Sequence, residues 1–384
     1  MAHVTTEPDD PAGIVWAVTA TYTIGALGGN MQPLLVGALI DGLHLDASRA
    51  GLLGSIELAA VAFASFVLAP RMGTISRRSL SLGGGTLAVC GYGGSVVTAT
   101  FAGLTLCRVL AGVGAGTVLS IGNGAVSACR QPERIYAQMT IAGTIAFTAL
   151  LAVLPLAITR FAYRGGYGGM ALVALALLPL LRWIPDGSAS HHSQGAVDAM
   201  HPGLGGTTLA AAALLFFSQS AVWAFAERLA VGARVPHDVI GVVLASSTLA
   251  GLGGAALASR IGTLSGRTLQ LVAGIVTTGV TLLALVYAAT PVTYSVIIIV
   301  NGITYLFMVP YVFGVASALY RQGRWAAAAV GAATIGAALG PGVAGPVVEA
   351  AGYVALGWLV FAASLLAAAA ATPVGRALDR RDNG

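Results

Sequence analysis

Long apolar runs separated by short polar breaks dominate the chain. Breaks at clusters of charged residues, Pro and Gly delimit twelve runs of 19 to 28 residues. An α-helix needs about 20 residues to cross a bilayer. The runs lie at 13–38, 50–69, 79–101, 102–127, 135–158, 166–184, 207–229, 239–258, 268–289, 292–319, 325–347 and 352–372. A polar segment at 185–202 separates the first six from the last six. The pattern predicts an all-α membrane protein with twelve transmembrane helices in two six-helix bundles.

The spans divide the chain into five segments. We expect a cytoplasmic N-terminal tail (1–12), a first bundle (13–184), a cytoplasmic linker (185–206), a second bundle (207–372) and a cytoplasmic tail (373–384). With the N-terminus inside the cell, thirteen Arg residues fall on the cytoplasmic side and five on the other side. Cytoplasmic loops of membrane proteins carry such an excess of basic residues. We therefore expect a multi-pass protein with both termini in the cytoplasm.

The composition excludes a soluble globular protein. Hydrophobic residues make up 57% of the 384 residues and charged residues 9%, against about 45–50% and about 25% in soluble domains. All 19 basic residues are Arg, which is typical of a GC-rich genome, so we expect the inner membrane of a bacterium. The net charge of +5 follows the loop topology, so we expect no nucleic-acid partner.

The chain lacks the usual signatures of metal and nucleotide sites. The three cysteines, Cys90, Cys107 and Cys129, do not have the spacing of metal ligands. The sequence contains no Walker loop, so ATP bound to this chain cannot be its source of energy. We therefore expect no metal and no cofactor.

An internal repeat relates the two halves. Residues 68–82 recur as 257–271 at an offset of 189, and nine of the fifteen positions are identical. A second match, at offset 190, relates positions in 127–145 to positions in 317–335. Duplicated six-helix units packed about an axis along the membrane normal enclose a central cavity. The repeat thus predicts the geometry of a transporter.

Two local motifs carry a resemblance to a known family. The loop at 69–78, which follows the second span, is similar to a loop signature rich in Gly, Asp and Arg, although Gly73 stands where Asp is usual. In the fourth span, Arg108 precedes glycines at 112, 114 and 116. With these motifs the chain resembles the major facilitator superfamily over essentially its whole length.

The resemblance implies a secondary transporter that works by alternating access, and not an enzyme. It also implies that the Arg residues of the loop and of its copy take part in conformational gating. These are Arg71, Arg77, Arg78, Arg260 and Arg267. The fifth span lacks the Gly-Pro-x-x-Gly-Gly element typical of the family's drug and proton antiporters, and a related sequence lies at 340–346 instead.

Two charged residues lie well inside predicted spans. Arg108 and Glu57 lie about six and seven residues from the same membrane face, hence about 9 and 10 Å deep. Such a charge costs several kcal/mol unless it is paired or wetted, so both are functional candidates. The repeat places Ile298 and either Ser246 or Ser247 at the equivalent positions, so the duplicated architecture does not require the charges. We expect Glu57 to carry a coupling proton and Arg108 to be its partner or to anchor a substrate carboxylate. A structural ion pair is the alternative.

The seventh span supplies further candidates. Glu227 lies near its outer end and is a third candidate for proton coupling, with snorkelling or an external gate contact as the alternative. Gln219 and Trp223 share its predicted helical face, which we expect to line the cavity. Asn30 aligns with Gln219 at offset 189, so both amides are expected near the midplane, where such transporters bind substrate. Other candidates for substrate contact, with interhelical hydrogen bonding as an equal alternative, are Gln32, Asn123, Asn301, Tyr305 and Tyr311.

These features together predict a secondary active transporter, monomeric in the lipid bilayer, with protons and a small-molecule substrate as its partners. A buried Arg with few intramembrane acids favours an organic anion or zwitterion as substrate. Efflux of a drug or metabolite in exchange for protons is the alternative. An intramembrane enzyme is disfavoured because every His lies in a tail, loop or linker.

Overall fold

The computed structural model describes residues 13–68, 76–186, 202–262, 266–319 and 324–382. Arg71 and most of the predicted linker lie outside these ranges. Regular structure in the described part is helical throughout. The helices are α1 (Ile14–Leu43), α2 (Ala47–Leu68), α3 (Arg77–Val97), α4 (Phe101–Val126), α5 (Pro132–Phe161), α6 (Tyr163–Leu177) followed by a 3-10 turn (Leu178–Trp183), α7 (Pro202–Ala224), α8 (Ala226–Gly232), α9 (His237–Ile261), α10 (Arg267–Leu285), α11 (Pro291–Ala318) and α12 (Arg324–Asp382).

The described helices account for the twelve predicted spans. Eleven of them are long and apolar enough to cross a membrane. The longest, α12, contains Gly352 at φ 79°, a left-handed backbone conformation that glycine adopts without steric penalty, and this residue separates the eleventh span from the twelfth. The seventh span is α7 continued by α8 after a break at Phe225. The last helix runs to Asp382, beyond the predicted start of the tail, and α7 begins inside the predicted linker.

The duplication in the sequence is reproduced in the helix crossings. α2 crosses α4 at Gly112, where a Cβ would overlap the carbonyl oxygen of Glu57. α9 crosses α11 in the same way at Gly302, against the carbonyl oxygen of Ser247. An offset of 190 relates the residues of the two crossings. Small residues let helix backbones approach this closely in membranes, so the glycines build two equivalent bundles.

Each half also ties the start of its third helix to the end of its sixth. The Asp186 carboxylate accepts a hydrogen bond from the backbone N–H of Arg78 at 3.0 Å. The Asp379 carboxylate accepts one from the N–H of Arg267, which lies 189 residues after Arg78, at 2.7 Å. These bonds satisfy N–H groups that have no partner within their own helix. The bond from Arg78 is the main reason that the pKa of Asp186 lies below its ordinary value.

The two halves pack together on one side of the molecule. We call the helix ends that border 186–202 the linker face and the opposite ends the far face. Towards the far face, α2 packs against the first part of α12, and α5 packs against α9. Ser55 Oγ accepts a hydrogen bond from the N–H of Gly342 at 2.6 Å, and a Cβ on Gly241 would overlap the carbonyl oxygen of Leu151. These contacts close the far face.

α1 shows where the interface between the halves opens. It packs against α2, α4, α5 and α6 of its own half, so its remaining face is directed at the second half. In its linker-face part, partly or fully exposed residues recur every three or four positions from Trp16 through Tyr22 and Ala26 to Asn30. Every residue of 31–39 is buried. This exposure pattern indicates a groove between the halves that runs from the linker face to the level of Asn30 and ends there.

Candidate functional site

Glu57 and Arg108 form a buried ion pair between α2 and α4. Arg108 Nη1 lies 2.9 Å from Glu57 Oε2. Arg108 is 1% exposed and Glu57 3%, so the equal depth expected from the sequence corresponds to direct contact. The penalty for removing two charges from water is offset only when the pair has good geometry and further hydrogen bonds.

Those further hydrogen bonds come mainly from α3. The Tyr92 hydroxyl donates to Glu57 Oε1 at 2.9 Å, and Arg108 Nη2 donates to Ser95 Oγ at 2.5 Å and to a backbone carbonyl of α3. The Tyr167 ring of α6 lies with its centre 4.1 Å from the guanidinium carbon, a favourable position for a cation. Both oxygens of Glu57 thus have donors. Arg108 is directed into the first bundle, as the partner of Glu57.

Glu57 also contacts the helix that lines the groove. A Cβ on Gly28 of α1 would overlap the Glu57 carboxylate. Gly28 lies two residues before Asn30, where the open face of α1 ends. The Glu57 carboxylate is therefore packed directly against the backbone of α1.

The second half contains the same crossing without charges. Ser247 Oγ donates to the carbonyl oxygen of Ile298 at 2.7 Å. These residues lie at an offset of 190 from Glu57 and Arg108, and the bond identifies Ser247, rather than Ser246, as the equivalent of Glu57. The second half thus forms this crossing with a neutral contact, and the charged pair is present in the first half alone.

An amide chain connects α7, α11 and α10 in the second half. Gln219 Nε2 donates to Asn301 Oδ1 at 3.1 Å, and Asn301 Nδ2 donates to Thr281 Oγ1 at 2.9 Å. Asn301 is 1% exposed, whereas Gln219 is partly exposed. Two of the predicted substrate-binding residues are therefore in contact, with Asn301 positioned behind Gln219. Sequence reasoning did not find Thr281. A single threonine in an apolar helix carries no sequence signal that its hydroxyl forms a hydrogen bond to another helix.

The other predicted binding residues take different positions. Gln32 is buried beside Gly54, beyond the closed end of the groove, and its Nε2 has no partner among the described residues. Trp223 is partly exposed, one turn from Gln219. The Tyr305 ring packs edge-to-face on Phe216 at 5.8 Å. Two further candidates lie near the linker face. Asn123 is exposed near the end of α4, and the Tyr311 hydroxyl donates to the Ala258 carbonyl at 3.3 Å.

Glu227 belongs to an ion-pair cluster on the far face. Arg228 Nε lies 2.6 Å from Glu227 Oε2, and Arg228 Nη1 donates to Asp41 Oδ1 of α1 at 2.8 Å. The cluster thus joins the two halves. Sequence reasoning missed Asp41 because the predicted first span ended at residue 38, whereas α1 continues to Leu43.

The seventh span is interrupted at Phe225, before Glu227. Sequence reasoning placed Glu227 on one continuous helical face with Gln219 and Trp223. α7 instead ends at Ala224, and α8 restarts the helix. A hydrogen bond from the Tyr294 hydroxyl to the Ala226 carbonyl at 2.7 Å holds α8 in place. Glu227 thus lies against Gly37 of α1, beside a far-face cavity of about 260 Å³ that Asp41 and His237 also line.

The four predicted gating arginines that the structure describes lie at the linker face. Arg78 and Arg267 are held by the carboxylates at the ends of the sixth and twelfth spans of their own halves. Arg77 is buried, and its Nε and one Nη lack partners among the described residues. Arg260 is exposed, and Arg71 lies outside the described ranges. Within those ranges, no group of three or more His, Cys, Asp or Glu is placed to hold a metal ion.

Several solved structures share this arrangement of helices. A mutant of the nucleoside transporter NupG superposes with a TM-score of 0.76 at 14% identity, covering 94% of this chain and 98% of that one. NupG itself gives 0.69 at the same identity and coverage. A D-xylose-proton symporter gives 0.74 at 14% identity, covering 92% of this chain and 96% of that one. This chain has the major facilitator fold.

The major facilitator fold explains why the site is divided between two bundles. The similarity covers nearly the whole of each chain, so no described domain of this protein lies outside the fold. No protein-family model and no curated protein matches the sequence significantly.

Proposed function

We propose that this protein is a proton-coupled secondary transporter that moves a small polar organic solute by alternating access. The observation that carries the proposal is the Glu57–Arg108 pair, which is buried, fully hydrogen-bonded at the carboxylate and absent from the equivalent crossing of the second half. Ionisable groups inside a membrane domain are costly and mark ion or proton pathways.

The proposed proton acceptor is Glu57. Protonation removes its negative charge and weakens the ion pair, so the hydrogen bonds around the carboxyl rearrange. Because the carboxylate lies against Gly28, this rearrangement moves α1, which lines the groove up to Asn30. In this proposal the proton acts as a ligand that binds one arrangement of the two bundles better than the other. Protonation of Glu57 therefore changes the relative stability of the two arrangements, and this change couples proton movement to transport.

The groove supplies the alternating-access part of the proposal. It opens at the linker face and is closed at the far face by contacts between the halves, including the Arg228–Asp41 ion pair. We place the linker face in the cytoplasm on the Arg distribution, in the inner membrane of a bacterium, so this conformation is open to the inside. The outward-open conformation requires the contacts at the far face to separate. One copy of the chain contains the proposed proton acceptor, the groove and the far-face contacts, so we propose that the transporter is a monomer.

The charge distribution bears on the solute. The expectation of an organic anion or zwitterion depended on an Arg108 available to a carboxylate. Arg108 is instead paired and 1% exposed, so the geometry favours an uncharged polar solute. The nucleoside transporter and the D-xylose-proton symporter that share the fold are named for solutes of this kind, and the symporter's name also supports the use of protons. Proton-driven efflux would use the same residues in the opposite direction.

Transport by purified protein in proteoliposomes tests the proposal. Uptake and efflux of organic acids, amino acids, sugars, nucleosides and cationic dyes are compared with and without an imposed pH gradient. We expect gradient-driven accumulation of a polar organic solute by the wild type, and its loss in Glu57→Gln. Glu133→Gln, at an exposed acid at the start of α5, is the matched control. Gradient-driven accumulation that persists in Glu57→Gln, or transport of cationic dyes alone, contradicts the proposal.

A further inference from the structure

The hydrogen-bond chain behind the groove has a defined direction. A threonine hydroxyl has one hydrogen, and Thr281 donates it to the Thr278 carbonyl at 2.8 Å. Thr281 Oγ1 therefore accepts the bond from Asn301, whose NH2 group points at it. Asn301 Oδ1 is then the atom that faces Gln219, which donates with Nε2. These hydrogen bonds thus fix the orientation of the Gln219 amide, and Gln219 Oε1 takes no part in them.

The remaining atom, Gln219 Oε1, is an acceptor without a donor. It is buried from solvent and has no hydrogen-bond partner among the described residues. A buried acceptor in this state costs about 1–3 kcal/mol relative to a satisfied one. Such a cost is explained where a ligand supplies the missing donor.

The equivalent residue of the first half is oriented in a similar way. Asn30, at an offset of 189 from Gln219, donates Nδ2 to the carbonyl of Ala26 in its own helix at 2.9 Å. It is partly exposed at the end of the groove. Its Oδ1 is therefore a second acceptor, contributed by the opposite bundle.

From these two orientations we infer that the solute is uncharged and rich in O–H or N–H donors, and that Gln219 Oε1 and Asn30 Oδ1 recognise it. The inference rests on the proposed transport function and names its class of substrate. A carboxylate has only acceptors when ionised and would oppose both oxygens. Asn301 and Thr281 are positioning residues, since they act through Gln219.

The surroundings of the two acceptors agree with an uncharged solute. Glu57 and Arg108 are the charged residues that lie away from helix ends in the described spans, and they neutralise each other. One turn before Gln219, Phe216 packs edge-to-face on Tyr305. Phe216, Gln219 and Trp223 form a partly exposed stripe on α7. An aromatic surface of this kind packs against the apolar face of a ring in the solute. The amide oxygens of Gln219 and Asn30 accept hydrogen bonds from the O–H or N–H groups of the same solute.

Solute exchange at equal pH on both sides of the membrane tests the inference without using proton coupling. The probes are a set of sugars and nucleosides, a set of mono- and dicarboxylates, and quaternary amines, each as the unlabelled competitor in counterflow. We expect exchange with uncharged, hydroxyl-bearing compounds. Exchange restricted to carboxylates or to quaternary amines overturns the inference, as does failure of every uncharged compound. Exchange of uncharged compounds that is indifferent to a pH gradient and to Glu57→Gln upholds it and contradicts the proposed coupling instead.

Variants of the two amides locate the recognition. Gln219→Met removes the acceptor at similar volume, and Asn30→Leu does the same in the other bundle. Each should raise the half-saturating concentration of the uncharged solute by about five- to tenfold, as expected for one lost hydrogen bond. Gln138→Met, at an exposed amide on α5, is the control. Unchanged affinity in both groove variants overturns the assignment. If one variant fails to fold, the other still decides.

A third variant separates orientation from mere packing. Thr281→Val keeps the shape of the side chain and removes the group that orients Asn301. The Asn301 amide can then turn over, so that Gln219 presents its NH2 group instead of its oxygen. We expect the ratio of carboxylate exchange to uncharged-solute exchange to rise in this variant. A folded Thr281→Val protein with an unchanged ratio overturns the role of Gln219 Oε1.

Discussion

The burial of the Glu57–Arg108 pair predicts a specific pattern of stability in variants. In Glu57→Met, Arg108 keeps its charge at a site that is 1% exposed, with only Ser95, a backbone carbonyl and two tyrosine rings as neighbours. Removing one partner of a buried ion pair costs about 3–5 kcal/mol. Arg108→Met leaves the carboxylate with Tyr92 as its donor and should cost a similar amount.

The double variant Glu57→Met/Arg108→Met should be more stable than either single variant. It leaves no buried charge, and what remains is the loss of neutral hydrogen bonds at Tyr92 and Ser95, at about 1 kcal/mol each. Replacement of buried ion pairs by apolar residues of similar volume is often close to neutral. We therefore expect a coupling energy of several kcal/mol between the two substitutions.

Unfolding of the four proteins in detergent, arranged as a double-mutant cycle, measures this coupling. Asp46→Asn, which breaks the exposed pair with Arg49, is the control and should change stability by less than about 1 kcal/mol. Additive effects of the two methionine substitutions would refute the reasoning, because they would mean that the two charges do not depend on each other.

Three other predictions concern the gate, α1 and the linker face. Arg228→Gln should open the far face, measured as greater labelling of a cysteine placed at Ala38 in a protein whose native cysteines are replaced. The charge exchange Asp41→Arg/Arg228→Asp should reverse part of the effect, and equal labelling in all three proteins argues against a gate. Gly28→Ala should reduce transport, because the added Cβ overlaps the Glu57 carboxylate. Gly93→Ala should not, because a Cβ there meets nothing within 4 Å. Similar losses of transport in the two variants would argue against a coupling role of α1. The pKa of Asp186 is lowered in the folded protein, so the stabilisation from this carboxylate is complete above its unfolded pKa of about 4 and is lost as pH falls through the folded value. The difference in Tm between wild type and Asp186→Asn should therefore shrink in strong acid, and a constant difference would contradict the bond.

The spans and the symmetry of this protein were predictable from the sequence for physical reasons. A bilayer requires about 20 apolar residues per helix, which sets the number of spans. The repeat then assigns equivalent positions, and the crossing of Glu57 with Arg108 recurs between Ser247 and Ile298 as the offset of 190 requires. Glu57 and Arg108 were expected at the same depth in the membrane. Since few other charges lie inside the spans, each was the expected ion-pair partner of the other.

The remaining features depend on local geometry that periodicity does not contain. The break at Phe225 ends α7 before Glu227, so Glu227 belongs to the short helix α8. The extension of α1 beyond the apolar run brings Asp41 to Arg228. The direction of the amide chain depends on the single proton of Thr281, which no sequence pattern reveals. For that reason the sequence identified Gln219 as a candidate but gave no preference between a donor and an acceptor.

Proton flux driven by the solute tests the role of Glu57 most directly. Proteoliposomes that contain a pH-sensitive dye are given a gradient of the transported solute and no gradient of pH. We predict that the wild type and Glu133→Gln move protons with the solute, whereas Glu57→Gln still exchanges the solute and moves no protons. Solute-driven proton flux at the wild-type level in Glu57→Gln would contradict the account, because the coupling proton would then be carried elsewhere.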